Sequence, residues 1–188
     1  NKIMQLEKEQ AIFKKERIRA ERKIAACQEE VEKAKRTEAD FKRDLEYINS
    51  YNGAKATLLL NLPQASTEEV GRELHHIAKT YRNGAYGTVG TYAGLNLLVH
   101  SEYNMDGTFD RNTFFVEGIS GLKYRCGLSG ALPLGFVESA QYPHGALSKL
   151  PSLIEKQQKA VERIESEIPT LQKIVCRQWS KTDELSRL

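Results

Sequence analysis

Cysteine is scarce in this chain: Cys27, Cys126 and Cys176 are the only three in 188 residues, far apart, with no Cys-x-x-Cys pair and no Cys/His cluster. That scarcity excludes a disulfide framework and the common zinc-ligand spacings. It fits thiols that fill space as small hydrophobes in a reducing cytoplasm. Long apolar runs are missing as well. The longest, Leu58-Leu59-Leu60, is far short of the roughly 20 residues that a helix needs to cross a bilayer. The charged N-terminus does not read as a signal peptide, so no membrane partner is expected. The absence of a Met at Asn1 suggests a piece of something longer.

An excess of one charge is also lacking. The 28 basic and 25 acidic residues divide as 13 against 11 over residues 1–48, 7 against 8 over 49–146, and 8 against 6 over 147–188. No segment has the basic excess of a dedicated nucleic-acid grip, which must neutralise several phosphates. Catalytic signatures are missing too. Gly84, Gly87, Gly90 and Gly94 have the look of a phosphate loop, but no Gly-Lys-Ser/Thr follows them, so they read as turn glycines. Ser129 lies in Gly-Leu-Ser-Gly-Ala, which lacks the spacing of a nucleophile elbow. His75 and His76 are neighbours on a short helix and diverge by about 100 degrees, so one faces solvent and the other packs. His100 and His144 stand singly. Neither a cofactor nor a catalytic residue is expected.

What the chain does have is a seam. Ile3, Leu6, Gln10, Phe13, Arg17, Ala20, Ile24, Cys27, Val31, Ala34, Glu38, Phe41, Leu45 and Ile48 follow an unbroken 3-4 spacing, and 11 of these 14 are apolar. Side chains three and four apart share a helix face, so the first 50 residues read as one helix of roughly 70 Å with a single apolar stripe. Such a stripe needs a partner of similar length. Residues 147–188 offer one, with Leu147, Leu150, Ile154, Gln157, Val161, Ile164, Ile168, Leu171, Val175 and Gln178 on the same spacing. Pro169 is expected to kink this return helix, and Trp179-Ser180 to break it before a short last helix capped by Thr182. Arg17 in the seam either is tolerated or pairs with an acid across it.

Between the helices, residues 51–146 read as a small α/β domain. Residues 56–62 suggest a strand, and Ser66-Thr67-Glu68-Glu69 a helix start, with Val70, Leu74, Ile77 and Tyr81 on one face up to Asn83-Gly84. Three further strands follow, around residues 92–99, 114–116 and 122–128, with turns at residues 104–107 and 117–121. Residues 129–145 read as a loop. The expected fold is α+β: a long antiparallel helical hairpin, or coiled coil, formed by both termini and capped by a small antiparallel sheet with one short helix. The hairpin closes within one chain or swaps between two, so a homodimer is an alternative.

Gly90, Tyr92, Gly94 and Leu95, then Gly118, Tyr124 and Leu128, then Ala146, Leu147, Leu150 and Pro151, and last Trp179 with Glu184-Leu185, follow one another in a recognisable order over most of residues 66–188. In that order the chain resembles the C-terminal accessory region of very large helicase/DNA-methyltransferase proteins carried by conjugative transposons of gut bacteria. Gly135-Phe136 and Pro143 stand where that family has a polar cluster. The resemblance implies an accessory tail of a larger parent, working beside DNA-handling modules. It carries over no ATP-binding or methyl-donor residues. The leading expectation is therefore a non-catalytic spacer or docking arm. The alternative is a DNA-contacting module using Arg82, Tyr86, Tyr92, Lys123 and Arg125, since aromatic and basic residues interleaved on a sheet suit base stacking. Against that stands the plainer reading, that Tyr fills a half-buried sheet while Arg and Lys solvate it.

Overall fold

The computed structural model describes residues 2–51, 58–60, 65–127 and 131–187, with backbone alone for Leu58 and Leu59. The chain divides into two compact units. One joins the residues up to Glu38 with those from Glu155 onward, and the other is Ala39–Ile154. Both long helices, α1 (Lys2–Ser50) and the one that begins at Leu150, contribute to both units.

The first unit is a helical hairpin. Cys27, Val31 and Ala34 of α1 pack against Val161 and Ile164, with Ile168 and Leu171 beside them. The cross-pairs run in opposite senses, as an antiparallel pair requires: Lys23 reaches Glu167 at 3.4 Å, Lys35 reaches Glu165 at 2.9 Å, and the Gln158 amide donates to Glu38 at 2.8 Å. Arg17 pairs with Glu21 of its own helix at 3.1 Å and remains half-exposed, so it is not an across-seam ion pair. The return helix is continuous over Leu150–Cys176 with Pro169 inside it, and the last helix is Thr182–Ser186. Lys181, not Thr182, occupies its N-cap position; the Thr182 hydroxyl donates back to the Trp179 carbonyl.

The second unit is a five-stranded antiparallel meander in the order β1-β2-β3-β4-β5, comprising β1 (Leu58–Leu60), β2 (Gly87–Tyr92), β3 (Leu95–Tyr103), β4 (Phe109–Glu117) and β5 (Lys123–Arg125). The expected strand at residues 56–62 lies partly outside the described residues. The expected single strand around 92–99 is two strands. Tyr92 pairs with Leu95 across Ala93-Gly94, both at positive φ (50° and 76°), as a two-residue hairpin turn of the primed type demands. An Ala in that place hides the turn, because only Gly and Asn announce it in a sequence. Gly94 also admits the Tyr47 hydroxyl, which a Cβ there would meet at 2.6 Å.

Helix α2 (Thr67–Thr80) starts as its sequence predicts. Ser66 caps it, and Ser66 with Glu69 forms a reciprocal capping box whose backbone N–H bonds hold the Glu69 carboxyl below its usual range. Residues 131–145 depart from a loop, forming α3 (Phe136–Ala140) and α4 (Tyr142–Leu147), followed by α5 (Leu150–Cys176). Gly71 lets α2 approach the α3 backbone, since a Cβ there would lie 1.8 Å from the Phe136 carbonyl oxygen. Leu97, Val99, Phe114 and Val116 form the sheet's side of the core, with Leu74, Ala146, Leu147, Leu150 and Phe41 on the helical side.

Candidate functional site

Alternation along β3 and β4 sends Leu97, Val99, Phe114 and Val116 into the core and leaves Leu98, His100, Glu102, Arg111, Thr113, Phe115 and Glu117 on the opposite face. The register lines up Leu98, Phe115 and Arg125 in one row, and Glu117 with Lys123 in the next. Tyr86, just before β2, lies across this face. Its ring is 4.9 Å from His100 and 5.4 Å from Phe115, with the Lys123 ammonium 5.1 Å from its centroid. Tyr86 is 48% exposed, so an aromatic plate flanked by cations does form here.

Acids accompany those cations. Glu102 takes the Thr113 hydroxyl at 2.7 Å and sits 3.3 Å from Arg111 and 3.5 Å from Arg125, while Glu117 is 3.8 Å from Lys123. A phosphate binding here must compete with carboxylates already in place, and few counterions are available for release.

Of the five residues the sequence singled out, Tyr86, Lys123 and Arg125 come together on this face. Arg82 does not join them. Its guanidinium stacks on Phe109, 3.4 Å from the ring centroid, and donates to the Tyr81 carbonyl. Tyr92 is on the other side of the sheet. It is 5% exposed, packs in the core, and its hydroxyl meets His144 Nδ1 at 3.2 Å. The expectation of a nucleic-acid contact at Tyr92 is therefore corrected: its place beside the tight turn, on the core side of β2, buries the ring.

Three buried polar groups escaped the sequence reading. Asp44 of α1 is fully buried, and its carboxylate accepts from the Ser120 N–H at 2.9 Å and from the hydroxyls of Ser120 and Tyr124 at 2.5 Å each. Gly118 makes room for it, since a Cβ there would meet an Asp44 oxygen at 2.1 Å. Burial, followed by the neighbouring Asp44, pushes the Tyr124 phenol far above its ordinary range. Asn112, on β4, donates to the carbonyls of Ala78 (2.9 Å) and Tyr81 (2.8 Å) at the end of α2, and accepts from Ser101 at 2.7 Å. It thereby joins β4 to the last carbonyls of α2, which have no partner within the helix. Ser139, on α3, meets His75 Nε2 at 2.9 Å, while its hydroxyl is directed to the carbonyls of Gly135 (2.7 Å) and Pro133 (3.0 Å). These contacts tie α2 to α3. His76 is exposed. Burial raises the Cys126 thiol to about 12, which makes it an inert space-filler. A polar residue one step off an apolar seam, as Asp44 is, carries no sequence signal that separates it from a solvated one.

Residues 42–147 match the model of a domain of unknown function, DUF8438, over more than half of the chain. The chain belongs to this family. No curated protein and no solved structure matches it. The DUF8438 segment begins within α1 and ends with α4, so it includes Asp44, the whole meander and α2 to α4. It nearly coincides with the Ala39–Ile154 unit, and the paired parts of the hairpin fall outside it.

Proposed function

We propose that this chain is a non-catalytic scaffolding module, a spacer or docking arm serving a DNA helicase or DNA methyltransferase of a mobile element within a larger parent protein. The reading draws its setting from the ordered resemblance running from Gly90 to Leu185. The observation that carries the docking role is the sheet face opposite the core, where the half-exposed Tyr86 and the partly exposed Phe115 offer apolar surface while Arg111, Lys123 and Arg125 each face Glu102 or Glu117. A balanced, partly aromatic surface suits a protein partner better than a polyanion.

The second reading is direct DNA contact during conjugative transfer, and it rests on the stack of Tyr86 with Lys123. A gel mobility assay at low and moderate salt separates the two, because phosphate binding weakens steeply with salt. The docking role predicts no shift at low salt, together with co-elution of the chain with separately expressed helicase or methyltransferase modules of such a parent. A low-salt shift that salt abolishes would replace it with the DNA role.

A further inference from the structure

β5 is the last strand of the sheet, and among the described residues no strand pairs with its outer edge. The bonds from Gly118 N–H to the Leu122 carbonyl (2.8 Å) and from Cys126 N–H to the Phe114 carbonyl (2.9 Å) fix which residues of this strand pair with β4. In an antiparallel ladder those bonds alternate, so Tyr124 also pairs inward, and the N–H and C=O groups of Lys123 and Arg125 point outward. Among the described residues no backbone partner meets them. Beside that edge runs a groove of about 380 Å³, floored by Phe41, Ala146 and Leu153 and walled by Lys149. No acid lines it, and Lys149, a half-buried residue, has no ion-pair partner among the described residues.

These features specify an occupant. We infer that the β5 edge takes an extended peptide of alternating apolar and acidic residues as a sixth strand. This deepens the docking reading above and rests on it. In such a strand, successive side chains face opposite sides of the sheet. The apolar set would lie on Phe41 and Leu153, beside the aliphatic stem of Lys149, and the acidic set would face Lys123 and Arg125 on the other side of the sheet. Lys123 and Arg125 are 3.8 and 3.5 Å from their present carboxylates, longer than the roughly 2.7–2.9 Å of a charge-assisted hydrogen bond, so a better-placed acid is favoured. The same cations keep a second copy of this edge from pairing with it.

The test is fluorescence anisotropy with the full chain and a labelled octapeptide alternating valine and glutamate. Binding is expected. It should be lost when alternate peptide nitrogens are methylated, which leaves every charge in place but blocks strand pairing. It should also be lost when lysine replaces glutamate. Lys123→Glu should weaken binding about tenfold, the scale of one close charge pair. Arg125→Pro should weaken it more than Arg125→Ala, because the lost N–H points away from β4 and the sheet tolerates proline there. Unchanged affinity of the methylated peptide, indifference to Lys123→Glu, or no binding at all would overturn the inference. Preferential binding of an oligodeoxythymidine would overturn it too, in favour of a phosphate site. Co-elution with the helicase or methyltransferase modules in the absence of peptide binding would leave the docking role standing while this edge is discarded.

Discussion

Asp44 carries a carboxylate into a site with no accessible surface, and three donors from one hairpin turn and its strand converge on it. Hydrogen bonds to a charged group contribute about 1.5–3 kcal/mol each in net terms, and leaving the donors buried without a partner adds to the loss. Asp44→Ala should therefore lower unfolding free energy by about 3 kcal/mol, read as a shift in the urea midpoint. Gly118→Ala places a methyl group against the same carboxylate and should cost about 1–3 kcal/mol. In the double variant the clash is gone, so the two effects should sum to less than their separate values; strict additivity would refute the contact. Tyr124 has its own pH signature. Its phenol is raised in the folded state by burial and by Asp44. The unfolded chain loses this proton near its ordinary value of about 10, so the contribution is complete below that pH and disappears as pH rises above it. Urea midpoints at mildly and strongly alkaline pH should fall less steeply for Tyr124→Phe than for the parent; equal slopes would remove Tyr124 from the account.

Among the elements, α5 contains its own weak point. Pro169 sits inside a helix that continues to Cys176, where it supplies no N–H to the turn before it and crowds a carbonyl. It is exposed, so replacement disturbs no core contact. Pro169→Ala should raise stability by about 1–3 kcal/mol. A lower melting temperature would mean that the seam's fit depends on the proline. The β2–β3 hairpin has a different constraint: Ala93 adopts positive φ because Tyr47 donates to its carbonyl at 3.2 Å and Gly94 takes the second position. Local preference yields there to tertiary contacts.

Across the molecule, two cores share no residue. Cys27, Val31, Ala34, Val161 and Ile164 hold the hairpin, and the larger core from Phe41 to Leu150 lies wholly within Ala39–Ile154. Each unit thus has its own reason to fold. Residues 39–154 expressed alone should give a cooperative unfolding transition and native-like near-ultraviolet dichroism. A molten product would show that the hairpin is needed to complete the larger core.

The arms were legible because a 3-4 apolar spacing has only one regular interpretation, and α2 was legible because Ser66 and Glu69 satisfy each other's backbone locally. The α+β class followed from the change of period after Gly84. Contacts distant in sequence set the remainder. Asp44 meets a turn 76 residues away, Asn112 closes a helix more than 30 residues earlier, and Tyr92 faces inward only because its hairpin turns at Ala93. Residue type alone marks Tyr86, Lys123 and Arg125, and the fold brings them together while setting Glu102 and Glu117 beside the two cations. Periodicity records which way a side chain points on its own element; what it meets there depends on the fold as a whole.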